Sequence, residues 1–196
     1  MKTIVFDLDG VLADWSTGFS LWAQSVYPDV PIVTHAECPS WDVRPGMTSE
    51  MERVIWDLIK QDARFWEDLP CLATDRELSG ISNLIANSYT VYFATNRKTP
   101  GALRATRSWL TRHLESCAVN VIITHRKGEF CKVVDADYYI DDKSENVDCA
   151  IWMTDKKTKS YVIARPYNSG IYAPHSKSAR RVSTLSNFLE DIYAEV

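Results

Sequence analysis

Asp7 and Asp9 are separated by a single residue in the segment DLDGVLAD (7–14), directly after the apolar run Thr3-Ile4-Val5-Phe6. Two carboxylates at that spacing face one crevice only if the chain curls past the end of the run, and Gly10 permits the curl. Held together they repel, so the pair calls for a cation, and hard carboxylate oxygens suit Mg²⁺. Three further polar points follow along the chain. Thr95-Asn96 closes the run YFA at 92–94, Lys127 follows the run at 121–124, and Asp141-Asp142 closes YYI at 138–140. A carboxylate nucleophile, a metal, and hydroxyl and ammonium donors for phosphate oxygens are what phosphoryl transfer needs. Each point alone reads as a turn or a helix cap. Their joint occurrence at strand ends, where open α/β sheets bind ligands, gives the chemical reading.

The elements that must carry these residues are legible from hydrophobic period. Short β-branched and aromatic runs at 3–6, 89–94, 119–124, 137–140 and 160–164 have the pattern of strands buried on both faces of a parallel sheet. Helical stripes lie between them: Leu78, Ile81, Leu84 and Ile85 form one, and Leu103, Trp109, Leu110 and Leu114 another, with Arg104, Arg107 and Arg112 on its opposite face. Strands alternating with such helices predict a doubly wound α/β core. The stretch 16–70 breaks the rhythm. It carries a helical segment at 16–26, a Pro- and Cys-bearing loop, and a second helix opening at Ser49 with Glu52 completing a capping box. Val54, Ile55, Leu58 and Ile59 make the apolar face of that second helix. So long a connection is no simple crossover. It reads as a helical cap inserted between 1–15 and 71–196, which together form the core. After a polar, turn-rich stretch at 165–177 the chain closes with an amphipathic helix through Leu185, Phe188, Leu189 and Ile192. The run Lys156-Lys157-Thr158-Lys159 fits a hairpin turn or an exposed, solvated loop.

Bulk composition narrows the class. The chain has 196 residues, 45% hydrophobic and 24% charged, which suits one globular domain with a modest insertion. A formal charge of −4 argues against stable nucleic-acid binding over the whole surface. Cys38, Cys71, Cys117, Cys131 and Cys149 form neither a disulfide framework nor a zinc knuckle and read as reduced thiols. With no signal peptide and no apolar run of membrane-spanning length, the expectation is a cytoplasmic protein. Seven Trp and nine Tyr exceed what core filling requires and raise the prospect of an aromatic-lined pocket.

The segment 7–14 resembles motif I of the haloacid dehalogenase superfamily, Thr95 its motif II, and Asp141-Asp142 its motif IV. The resemblance implies that Asp7 attacks phosphorus to form an aspartyl-phosphate, while Asp9 protonates the leaving oxygen and then activates water. It implies Mg²⁺ held by the Asp7 carboxylate, the Asp9 main-chain carbonyl and a motif IV carboxylate, with Asp141 the favoured ligand. An acid at the second motif I position separates the phosphatases of the superfamily from its dehalogenases. For the motif III lysine both Lys127 and Lys132 are available. Lys127, three residues beyond Thr124, is favoured over Lys132, which falls inside a short helix at 128–134.

Within the superfamily the chain is most similar to 5′(3′)-deoxyribonucleotidases and the 5′-nucleotidases of bacteria and phages. The similarity runs through DLDGVLADW, RPG at 44–46, FWEDLP at 65–70 and VVDADYYIDD at 133–142, and loosens over the last fifty residues. It implies a nucleoside monophosphate substrate whose base is sandwiched by aromatics, by position Trp15 and Trp41, with Phe65 and Trp66 also in reach. The expected phosphate- and substrate-binding set is Thr95, Asn96, Arg97, Lys127, Asp142, Trp15 and Trp41. Where animal members carry a small hydroxyl residue and a Pro after the motif II threonine, this chain has Asn96-Arg97-Lys98. Arg97 and Lys98 would add positive charge at the mouth of the site. Rival readings are a phosphatase for another small ester or for a nucleic-acid 3′-end, and a nucleotide-binding module without turnover. A homodimer is compatible with the sequence.

Overall fold

The computed structural model describes residues 2–40, 45–87, 89–116, 119–168 and 177–195. Its centre is a six-stranded, all-parallel sheet in the order β3-β2-β1-β4-β5-β6. The strands are β1 (Thr3–Phe6), β2 (Thr90–Thr95), β3 (Asn120–Ile123), β4 (Tyr138–Asp141), β5 (Lys159–Ile163) and β6 (Arg180–Val182). Among the described residues the α-helices are α1 (Trp15–Val26), α2 (Ser49–Gln61), α3 (Arg64–Glu67), α4 (Asp75–Ala86), α5 (Ala102–Leu114), α6 (Lys127–Val133), α7 (Ser144–Met153) and α8 (Leu185–Tyr193). This is the doubly wound α/β architecture that the alternating pattern predicts.

The sheet buries apolar residues on both sides. Ile4 and Phe6 pack with Phe93, Ile140 and Phe188 in one cluster, while Val5, Ala94, Tyr139 and Val162 pack against α6 and α7 in another. Because side chains alternate along a strand, each strand contributes to both layers. That explains the near-continuous apolar runs in the sequence. The larger cluster also takes in Phe19 of α1, Ile55 and Ile59 of α2, and Phe65 and Trp66 of α3. The helices between β1 and β2 therefore share the hydrophobic core of the sheet's face.

Three local expectations are corrected. β6 lies in a stretch read as running straight into the last helix: Arg180 and Arg181 are exposed and only Val182 is buried, so this short edge strand has no apolar pattern. The second helix begins one residue earlier in capping than the sequence suggests. Thr48, not Ser49, is its N-cap and accepts from the Met51 N–H at 3.2 Å. The helix after β3 begins with Lys127 itself, so this residue is helical and not in the preceding loop. Trp41 and the RPG arginine, Arg44, lie outside the described residues.

β1 has β2 on one side and β4 on the other: the chain runs outward from β1 through β2 to β3, then crosses back to β4 and continues in the opposite direction. A crevice must open at the carboxyl ends of these strands. Asp7 and Asp9 follow β1, Thr95 ends β2, Lys127 follows β3 and Asp141 ends β4, so topology alone brings them to one edge.

Candidate active site

The 7–14 segment leaves β1 by folding tightly onto itself. The N–H groups of Val11, Leu12 and Ala13 all converge on the Leu8 carbonyl at 2.8–3.1 Å, and the Gly10 N–H reaches back from the other side to the Ala13 carbonyl. Gly10 adopts a φ of +84°, and a Cβ there would come within 2.2 Å of an Asp142 carboxylate oxygen. Only glycine suits both the backbone and the close approach. Arg165, which sequence patterning does not single out, clamps the loop by donating from Nε to the Gly10 carbonyl at 2.7 Å. Asp14 caps α1, accepting from the Thr17 N–H at 2.9 Å and its hydroxyl at 2.6 Å.

One side of the crevice is a buried charge cluster. Lys127 Nζ lies 2.5 Å from Asp7 Oδ1 and 2.9 Å from Asp141 Oδ2, and all three side chains are at most 6% exposed. Asp141 is fully engaged. Its Oδ2 accepts from Lys127, the Tyr139 hydroxyl and Asn146 Nδ2, and its Oδ1 from the Lys143 N–H. Asp142 is different. Its Oδ2 accepts from the Tyr167 hydroxyl at 2.6 Å, but its Oδ1 is buried without a hydrogen-bond partner. Asp7, Asp141 and Asp142 each offer an oxygen within 4.8 Å of the other two. Three carboxylates thus face one ammonium in a medium that penalises unpaired charge.

Titration follows from that crowding. Burial, then the Asp141 charge, push the Asp7 carboxyl up to about 7 against the pull of Lys127. Burial, with Asp141 and Asp7 adding to it, raises Asp142 well above the carboxylate range. Burial also opposes ionisation of Asp141, but Lys127, Tyr139 and the Lys143 N–H outweigh it and hold this carboxyl low. Lys127 is desolvated too, yet Asp141 and Asp7 more than compensate and keep it protonated. An orphaned, buried carboxylate oxygen beside a like charge is what a divalent cation relieves, so the donor set fits a hard cation such as Mg²⁺.

The other side is built around Asp9, whose carboxylate is 20% exposed. Arg97 grips it through Nη2 at 2.6 Å and Nε at 3.1–3.2 Å, and the Thr95 hydroxyl donates to it at 3.1 Å. Arg97 does not line the mouth as a free positive charge. It is 2% exposed, and its sequence neighbours Asn96 and Lys98 are the exposed ones. The physical reason is that its guanidinium has an internal anion to pair with, which removes the need for water.

The cleft between these sides encloses about 500 Å³. Asp7, Asp9, Asn96, Arg97, Lys127, Asp142 and Trp15 all line it; Asp141 and Thr95 do not, being covered by their partners. Lys132, the alternative lysine, is exposed on α6. Trp56 and Glu52 of α2 also face the cleft, one turn apart on the same helix face, and Trp56 stacks on Trp15 at 5.8 Å. Sequence reading gave Glu52 only a capping role and did not single out Trp56, although their i, i+4 spacing beside the apolar stripe is a usable signal. Of the two aromatics after α2, Phe65 is core, whereas Trp66 reaches the cleft.

Residues 1–183 match the family model described as 5′ nucleotidase, deoxy (pyrimidine), cytosolic type C protein. The chain belongs to this nucleotidase family. No curated protein matches it. Among solved structures, it is similar to a HAD family hydrolase from Deinococcus radiodurans with bound phosphate and sodium, at 12% identity and a TM-score of 0.62, covering 100% of this chain and 96% of that one. A hydrolase from Pseudomonas syringae superposes with a TM-score of 0.55 at 18% identity over 98% and 99% of the two chains. The L-2-haloacid dehalogenase from Xanthobacter autotrophicus does so with 0.57 at 14% identity over 99% of each. At these identities the likeness establishes the haloacid-dehalogenase-like fold. Family and fold together make the chain a phosphatase of nucleotidase type, acting on a small-molecule nucleotide. No helix among the nucleotidase's described residues is long and apolar enough to cross a membrane.

Proposed function

We propose that the nucleotidase hydrolyses (deoxy)nucleoside monophosphates to nucleoside and phosphate with Mg²⁺, through an aspartyl-phosphate on Asp7. The observation that carries this reading is the buried cluster in which Asp7 is paired to Lys127 and backed by an unsatisfied Asp142 oxygen. Asp7 Oδ attacks phosphorus and Lys127 holds the phosphate oxygens beside it. Asp9 gives a proton to the departing ester oxygen and later takes one from the attacking water. Asn96, exposed at the rim, donates to the phosphate.

The metal would be held by the Asp7 and Asp142 carboxylates and the Asp9 main-chain carbonyl. Bound there, Mg²⁺ neutralises charge on the phosphate oxygens and offsets the repulsion among the carboxylates. Asp142 takes the ligand role expected of Asp141, because Asp141 already serves four donors and braces Lys127 instead. Residues 16–70 act as a cap over the site. Trp56, resting on Trp15, offers a face on which a nucleobase can stack, a contact worth about 1–3 kcal/mol whatever the base. A cap of this size favours a free nucleotide over a polymer end, and a cytoplasmic setting suits that substrate.

The test is a panel of deoxy- and ribonucleoside 5′- and 3′-monophosphates assayed with Mg²⁺, beside Asp7→Asn. Nucleotide turnover should fall at least ~10⁴-fold in the variant, as for other nucleophile removals. Hydrolysis of simple sugar phosphates but of no nucleotide would sink the substrate assignment. Full activity in Asp7→Asn would sink the mechanism.

A further inference from the structure

We infer that Arg97 is a positioning residue for Asp9 and not a clamp for the substrate phosphate. The inference rests on the reading of Asp9 as the acid/base group. Every nitrogen of the guanidinium already has a protein partner. Nη2 and Nε hold the two Asp9 oxygens, and Nη1 donates to the Thr106 hydroxyl at 3.0 Å. The flat face of the group lies 4.9 Å from the Trp66 ring centroid, and Trp66 is fixed in turn by its Nε1 donating to Thr99 Oγ1 at 2.6 Å. Arg97 is thus tethered to α5 through Thr106 and to α3 through Trp66 before it meets Asp9.

This arrangement suits positioning better than phosphate binding. Desolvating a guanidinium is expensive unless its fork finds a matching carboxylate, and here it does. To grip a phosphate with the Nε–Nη2 fork, Arg97 would have to release Asp9 and leave it without its cation. If it stays, the Asp9 carboxylate is held by both Arg97 and Thr95 while remaining 20% exposed in the lining of the cleft. In the first half-reaction the phosphorus–ester bond breaks as the Asp7–phosphorus bond forms, and the ester oxygen takes its proton from Asp9. In the second, water attacks phosphorus, its proton passes to Asp9, and the Asp7 carboxylate leaves. Both proton transfers need Asp9 at a fixed place, which Arg97 supplies.

The discriminating experiment is single-turnover release of the leaving group, with Mg²⁺, from a nucleoside monophosphate and from p-nitrophenyl phosphate. A nucleoside alkoxide needs a proton to depart, whereas a nitrophenolate leaves unaided. Arg97→Met should slow nucleoside release at least about tenfold more than nitrophenol release, since general-acid help is worth ~10²–10⁴-fold. KM should change little for either substrate. In an Asp9→Asn background the same substitution should add less than about twofold, because its effect runs through Asp9. Arg97→Lys, which keeps the charge but loses the fork, should show the same substrate bias in weaker form and serves if the methionine variant does not fold.

A raised KM with equal loss on both substrates, or an Arg97→Met effect that persists in Asp9→Asn, would make Arg97 a phosphate clamp and overturn the inference. Wild-type rates in Arg97→Met would overturn it as well. If Asp9→Asn itself spares nucleotide hydrolysis, the acid/base reading of Asp9 falls first, and this inference with it.

Discussion

Asp7 and Asp9 stand two residues apart in the chain and live in opposite electrostatic settings. Asp7 sits with Asp141 and Asp142 around the Lys127 ammonium, almost wholly buried at the wall of the cleft and with more carboxylate than ammonium charge. Asp9 is partly open to the cleft and matched one-to-one by a buried guanidinium. On the proposed reading the first side takes a cation from solution, whereas the second finds its charge partner within the chain. The difference teaches how one loop can host two carboxylates with separate tasks. Each is paired by what lies across from it and not by its own sequence neighbours.

The comparison is tested most severely at Lys127. Removing the ammonium that pairs with both, as in Lys127→Met, strands Asp7 and Asp141, and breaking a buried pair in this way costs about 3–5 kcal/mol. Chemical denaturation without metal should show that loss, and millimolar Mg²⁺ should restore part of it. A loss that Mg²⁺ leaves untouched would mean that the cluster is not a cation site.

Asp142→Asn probes the same side with opposite sign. Burial and the neighbouring carboxylates already hold Asp142 toward its neutral form without metal, so the metal-free variant should be no less stable than wild type. Its affinity for Mg²⁺, read by calorimetry, should fall ~10²-fold or more, since even outer-sphere changes weaken metal binding 10–100-fold. Unchanged affinity would return the ligand role to Asp141. Across the cleft, Thr106→Val leaves a buried Arg97 N–H without an acceptor and should cost about 1–3 kcal/mol. That cost should be the same with and without Mg²⁺, because this side needs no ion. A metal-dependent cost would erase the distinction between the two halves.

What the sequence made legible was whatever depends on local pattern. Apolar runs marked five strands, and polar residues at their ends marked Asp7, Asp9, Thr95, Lys127 and the Asp141-Asp142 pair, which parallel topology then brings to one edge. What it hid depends on distant partners. Arg97 looks like a surface charge because arginine is seldom buried; its partner is 88 positions away. Asp142 and Asp141 are equivalent in sequence and become distinct through their partners: Lys127, Tyr139, Asn146 and the Lys143 N–H for Asp141, and Tyr167 for Asp142. Trp56 was overlooked because a tryptophan beside an apolar stripe reads as packing, and β6 because two of its three residues are exposed arginines.

The smallest effect expected concerns the contact between the 16–70 segment and the metal side. His35 is buried with Nε2 unpartnered, and its ring meets Tyr167, the donor to Asp142, edge to face at 5.6 Å. Burial, then the charge of Arg165, lower its pKa from 6.5 to about 4, with Asp14 pulling the other way. The unfolded chain therefore binds this proton more readily than the folded one. The stabilisation is fully present above the unfolded pKa and is lost as pH falls from about 6.5 toward 4. Between pH 8 and pH 6 the loss amounts to roughly 1 kcal/mol. In His35→Asn that share of the slope should vanish from paired denaturation curves. If the slope survives the substitution, the pH dependence does not come from His35 but from other shifted groups such as His113 and the carboxylate cluster.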